Sequence, residues 1–73
     1  MATRIYNRIK AALAEKGMTN IELAERIHKD ERTISRYTTN SMQPPIEVLY
    51  EIAEVLQMDA RDLLVPSSQV KKR

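Results

Sequence analysis

"ELAERIHKDERTISRY", residues 22–37, carries two short apolar patterns on either side of a polar break. Leu23, Ala24 and Ile27 share one helical face, and Ile34 and Tyr37, three residues apart, share another. His28-Lys29-Asp30 interrupts both periods, and Asp30 is of the residue type that starts a helix by accepting a backbone amide. The stretch predicts two short helices joined by a turn of about three residues. Helices joined so tightly cross steeply, which demands a small side chain at the crossing. Ala24 meets that demand, with Ile27, Ile34 and Tyr37 supplying the apolar contacts. The second helix then turns Glu31, Arg32, Ser35 and Arg36 outward.

The flanking punctuation agrees with this reading. Thr19-Asn20-Ile21-Glu22 has the form of a capping box, in which the threonine oxygen accepts from the Glu22 amide and the Glu22 carboxylate reaches back. Upstream, Ile5, Ile9, Ala12 and Leu13 fall at i, i+4, i+7 and i+8, predicting a helix over residues 4–16. Gly17 follows as the left-handed residue that ends it, letting Met18 fold back onto the stripe. Downstream of the loop "TTNSMQPP", Pro45 is placed as a first-turn proline. Ile46, Leu49, Ile52, Ala53 and Leu56 give a fourth helix ending near Gln57. Asp59 caps a last short helix with Leu63 and Leu64 inward, stopped by Pro66. The expectation is an all-α, compact five-helix domain over residues 1–65, followed by a flexible basic tail over 66–73.

Composition narrows the function classes. The 73 residues contain no cysteine and one histidine, His28, which excludes thiolate and histidine-cluster metal sites. No apolar run approaches the roughly 18 residues of a membrane span, and a cytoplasmic location with no cofactor is expected. No nucleophile–base pair or glycine-rich phosphate loop is present, so an enzyme is not expected. The net charge is only +2, but it is unevenly spread. Residues 1–40 carry eight Lys/Arg against five Asp/Glu, whereas residues 41–65 carry Arg61 alone against five acidic groups. A basic front half suits a polyanion-facing side, and solvated charge on exposed helix faces accounts for the same asymmetry without one.

Three segments in order, "NRIKAALAEKGMTNIELAERI", "RTISRY" and "PPIEVLYEIAEVLQMDARDLL", carry a resemblance. With Asn20 as the first of twenty positions, Ala24 is fifth, Ile27 eighth, Ile34 fifteenth and Tyr37 eighteenth, the spacing of a DNA-binding helix-turn-helix. Residues 4–65 resemble the Cro/repressor-type, or XRE, family. The resemblance implies a lambda-repressor-like bundle in which residues 20–27 form the positioning helix and residues 31–37 the recognition helix. His28 stands where the family usually has glycine, and Lys29 where it usually has an apolar residue.

On that pattern Arg32 and Arg36, i and i+4 on one face, are candidates for bidentate bonds to guanine O6 and N7. Glu31 is a candidate acceptor from a cytosine amino group, or simply a carboxylate favoured at a helix start by the dipole. Ser35 completes the base-contact set. Thr33 is expected at a phosphate or a local backbone group. Asn20 is expected at a phosphate, where the helix amides would assist, or as a helix cap. Lys29, Thr38, Thr39 and Asn40, with Ser41 beside them, are further candidates for the DNA backbone. Lys10 and Lys71–Arg73 offer diffuse attraction or mere solubility.

The resemblance also implies a homodimer paired through the last two helices, with Tyr50, Val55, Met58 and Val65 as candidate contacts. The expected function is a sequence-specific regulator of transcription, a repressor, with double-stranded DNA as partner. A protein-interaction module, such as an antitoxin or coactivator-like protein, is the alternative, supported by the acidic fourth helix.

Overall fold

The computed structural model describes residues 4–70. Four α-helices follow one another: α1 (Ile9–Lys16), α2 (Asn20–Ile27), α3 (Glu31–Thr38) and α4 (Ile46–Leu56). The expected fifth helix is a single 3-10 turn, Ala60–Leu63. Asp59 caps it as expected, its side chain accepting from the Arg61 amide. A second 3-10 turn, Ser67–Gln69, follows Pro66, and Val70 behind it is half-buried. Lys71, Lys72 and Arg73 of the expected basic tail lie outside the described residues.

The four helices and the first 3-10 turn each send a fully enclosed aliphatic side chain to a common centre: Ile9, Leu23, Ile34, Ile52 and Leu63. Ala12, Ala24 and Ala53 are also buried, and they let the helices approach closely around that centre. α2 packs on α3 and on α4, and α1 packs against α3 and α4. Two apolar positions after the central loop that are expected to face inward do not. Ile46 is 59% exposed, with Val48 taking its place in the core, and Leu64 is 42% exposed beside the enclosed Leu63.

Residues 4–8 depart most from expectation. The helix begins at Ile9, and Ile5 lies outside it with half its surface in solvent. The reason is a set of long-range hydrogen bonds that claim the backbone before a helix can form. The Arg8 amide donates to the Leu63 carbonyl at 2.9 Å, and the Val65 amide to the Tyr6 carbonyl at 2.8 Å. Asn7 and Leu64 thus form an antiparallel bridge. The amides of Tyr6 and Asn7 donate instead to the side-chain oxygen of Asn40, at 2.9 and 3.0 Å. The Asn7 side chain starts α1 by accepting from the Ile9 amide.

All four helices end alike. Gly17, His28, Asn40 and Gln57 hold the left-handed backbone, with φ of 67°, 60°, 62° and 57°. Behind each, the next amide reaches the carbonyl five residues back: Met18 to Leu13, Lys29 to Ala24, Ser41 to Arg36 and Met58 to Ala53, all at 2.9–3.0 Å. This closure satisfies carbonyls that a helix end leaves without partners. Only Gly17 is a glycine; the other three carry the Cβ that makes this conformation cost roughly 1–2 kcal/mol.

Pro45 sits one position earlier than expected, as the residue flanking α4 rather than the first within it. Its carbonyl already accepts the first intrahelical bond, from Leu49 at 2.9 Å.

These closures give opposite expectations for one substitution at two sites. Gln57 uses its side chain for no hydrogen bond among the described residues, so Gln57→Gly removes only the Cβ strain. It should stabilise the domain by about 1 kcal/mol, raising Tm by about 4–8 °C. Asn40→Gly relieves the same strain but deletes a buried amide with several partners, and thermal unfolding should show a lower Tm.

Candidate nucleic-acid interface

The turn between α2 and α3 is built from three local devices. Thr19 and Glu22 form the complete capping box at the start of α2, with bonds of 3.1 and 2.8 Å. His28 reverses the chain at positive φ. Asp30 then starts α3, its carboxylate accepting from the Thr33 amide at 2.8 Å. The hydroxyl and amide of Thr33 hold the Asp30 carboxyl below its ordinary pKa, slight desolvation opposes them, and the cations of Arg32 and Arg36 add to the lowering. Glu22 is lowered likewise, chiefly by Thr19.

Behind α3 lie Ile34, wholly enclosed, and Tyr37, buried, against the buried Ala24 and Ile27 of α2. Glu31, Arg32 and Arg36 are exposed, and Ser35 is half-buried between them. The ion pairs among the described residues are Arg8–Glu15 and Arg61–Asp59, each at 3.0 Å, so neither α3 arginine is spent on an internal partner. Lys29 is exposed at the turn, and Asn20 is half-buried at the first position of α2. Asn20 takes no part in capping, which Thr19 and Glu22 do between them. Two guanidinium groups one helical turn apart, on a rod held rigidly from behind, can present paired donors to a planar acceptor or an anion.

The domain's sequence and shape have counterparts among known proteins. The family model described as helix-turn-helix matches residues 9–63. The chain belongs to the XRE-type helix-turn-helix family. No curated protein matches it. Among solved structures it is similar to the crystal structure of a "putative DNA-binding protein" from Bacteroides fragilis. The two chains are 46% identical, with a TM-score of 0.81, over 86% of this chain and 100% of that one.

Within this helix-turn-helix domain, the residues expected at the DNA backbone divide sharply. Thr38 and Asn40, expected at phosphates, are buried, 7% and 6% exposed, with their side chains engaged inside the domain. The Thr38 hydroxyl donates to the Ser35 carbonyl at 3.0 Å. The Asn40 side chain accepts from Tyr6, Asn7 and Gln43, and donates to the Asn7 carbonyl. Thr39 is exposed, but its hydroxyl also lies on the Ser35 and Arg36 carbonyls, at 3.0 and 3.3 Å. Ser41 Oγ donates to the Arg36 carbonyl at 3.2 Å. A polar run after a helix reads as a clamp for phosphates; here the carbonyls of Ser35 and Arg36 in the helix's last turns take those hydroxyls. Thr33 is half-buried, and its hydroxyl lies beside the Asp30 carboxylate.

Of the four residues expected at a dimer contact, two line one depression and a third lines another. Tyr50, 62% exposed, and half-buried Met58 line a shallow depression of about 380 Å³ with Ala53, Ala60 and the acidic Glu51 and Glu54. Val65 lines a second depression of about 370 Å³ with Arg4, Tyr6, Leu64 and Val70. Val55 is half-buried against the core. Sequence reading missed Asn7 and Gln43 entirely. It also passed over Ile21, 57% exposed on the first turn of α2.

The caps make the turn acid-sensitive. A carboxyl whose pKa is lowered by folding stabilises the folded state above its unfolded value, 3.8 for Asp30 and 4.5 for Glu22, and that contribution is lost as pH falls through the folded value. The urea midpoint should therefore fall as pH drops from about 5 towards 2. Asp30→Asn, which keeps the acceptor oxygen without the charge, should show a shallower decline.

Proposed function

We propose that this domain is a sequence-specific, double-stranded-DNA-binding regulator of transcription, acting as a repressor, with α3 in the major groove. The observation that carries this reading is the pair Arg32 and Arg36: exposed, one turn apart, and without an ion pair among the described residues, on a helix braced by Ile34 and Tyr37. Each arginine fork fits the O6 and N7 acceptors of a guanine, a contact worth roughly 1–3 kcal/mol of discrimination. Glu31 and Ser35 flank the pair and extend the set that reads base edges. Lys29 and Asn20, at the turn and at the α2 N-terminus, take adjacent phosphates, where helix amides favour an anion. The similarity to a Bacteroides fragilis protein described as DNA-binding supports the same class of partner.

A single α3 covers one half-site, so a homodimer on a palindromic operator follows as part of the proposal. Tyr50, Val55, Met58 and Val65 are its candidate contacts. A protein partner in place of DNA is the competing reading, favoured by Glu51 and Glu54 at the rim of the Tyr50–Met58 depression.

Selection of bound sites from random duplex tests the proposal. A preferred, two-fold symmetric site with a steep salt dependence is expected; absence of any preferred sequence and of a salt slope would favour the protein partner. Against the selected site, Arg36→Ala should cost about 1–3 kcal/mol while weakening random duplex far less. Equal losses on both duplexes would reduce Arg36 to a phosphate contact. Sedimentation with the selected duplex should show two chains per site, and a strict monomer would remove the dimer.

A further inference from the structure

We infer that Asn40 is a positioning residue for α3: through its side-chain amide it fixes the exit of the DNA-reading helix to residues 6–7, and so sets the aim of Arg32 and Arg36. The inference rests on the DNA-reading role proposed above and adds a residue that touches no DNA.

The geometry is that of a cross-tie. Asn40 Oδ1 accepts from the amides of Tyr6 and Asn7 and from Gln43 Nε2, at 2.9, 3.0 and 3.0 Å. Asn40 Nδ2 donates to the Asn7 carbonyl at 3.1 Å. Asn7 closes the circuit, its Nδ2 donating to the Tyr37 carbonyl in the last turn of α3 at 3.1 Å and to Gln43 Oε1 at 2.7 Å. The bonded pairs are 30 to 36 residues apart in sequence, apart from Asn40–Gln43. Asn7 and Asn40 are both buried, where such bonds are strong and an unmet polar group is costly.

A helix of eight residues has few neighbours to define its direction. At its N-terminus α3 is held by Asp30 and the His28 turn. Along its inner face it is held by Ile34 and Tyr37, but apolar contact fixes distance better than angle, because dispersion is not directional. Hydrogen bonds are directional, and the Asn40–Asn7 set supplies them at the far end, next to Arg36. The closure of α3 itself does not need the amide. The Ser41 amide bonds the Arg36 carbonyl through the backbone, and glycine accepts a φ of 62° readily. Stability of the helix end and its attachment to residues 6–7 are therefore separable by substitution.

Asn40→Gly performs that separation. The experiment first recovers the wild-type site by selection from random duplex, then measures affinity for that site and for a random duplex at one salt concentration. All proteins are held at a temperature where each is folded. Val48→Ala, at a buried side chain of α4 that makes none of the tie's hydrogen bonds, serves as a control for lost stability. Expected for Asn40→Gly is a fall on the order of tenfold in the ratio of specific to random affinity, with random affinity nearly unchanged. The control should keep the wild-type ratio. Asn40→Asp keeps the acceptor used by Tyr6 and Asn7 but sets a second oxygen against the Asn7 carbonyl in place of the donor, so it should recover only part of the ratio. Amide exchange should show Tyr6 and Asn7 deprotected in Asn40→Gly, whatever is bound. An unchanged ratio in Asn40→Gly, or an equal fall in the control, overturns the positioning role and leaves the DNA-reading role standing. A wild-type protein with no preferred site overturns the DNA-reading role itself, and the inference with it.

Discussion

A helix of two or three turns ends with several carbonyls facing nothing, and in a bundle this small they cannot all be left to water. The reversal that satisfies them, one left-handed residue followed by an amide reaching back five positions, therefore governs the whole architecture. It is repeated at Gly17, His28, Asn40 and Gln57. Each reversal throws the chain back across the helix it has just left, which brings Leu23, Ile34, Ile52 and Leu63 to the same centre as Ile9. That three of the four positions are not glycine means that local strain is carried by the tertiary packing. At Asn40 the side chain also returns something for the strain, because it is bonded on all sides.

The presented helix follows from this arrangement rather than from its own propensity. Eight residues of α3 would not hold a helix alone in water. Asp30 caps it, α2 and α1 back it, and the hydroxyls of Thr38, Thr39 and Ser41 close its end. With both ends of the helix closed from within, the outward side chains Glu31, Arg32 and Arg36 are left available. Polar residues that look like ligands for an external phosphate are, in part, the cost of making so short a helix stand.

Much of this was legible in the sequence because it is local. The capping box at Thr19 and Glu22, the cap at Asp30, the left-handed Gly17 and the inward Ala24, Ile27, Ile34 and Tyr37 all rest on residues within one or two turns of each other. What escaped reading is long-range and polar. Ile5 fits the stripe of α1 by spacing, yet the amides of Tyr6, Asn7 and Arg8 are claimed by Asn40 and Leu63, and no periodicity announces such a claim. Asn40 lay in a polar loop, the usual place for an external contact. Its tolerance of positive φ was the one available hint that it ends a helix instead. Leu64 shares the apolar character of Leu63, but an extended bridge with Asn7 turns neighbouring side chains to opposite sides.

The short ladder between residues 6–8 and 63–65 has a mechanical consequence. It sets the entry and exit of the folded unit side by side, so anything tethered to either flank leaves from one spot. A tug there is transmitted first to Tyr6 and Asn7, and from them to the close of α3.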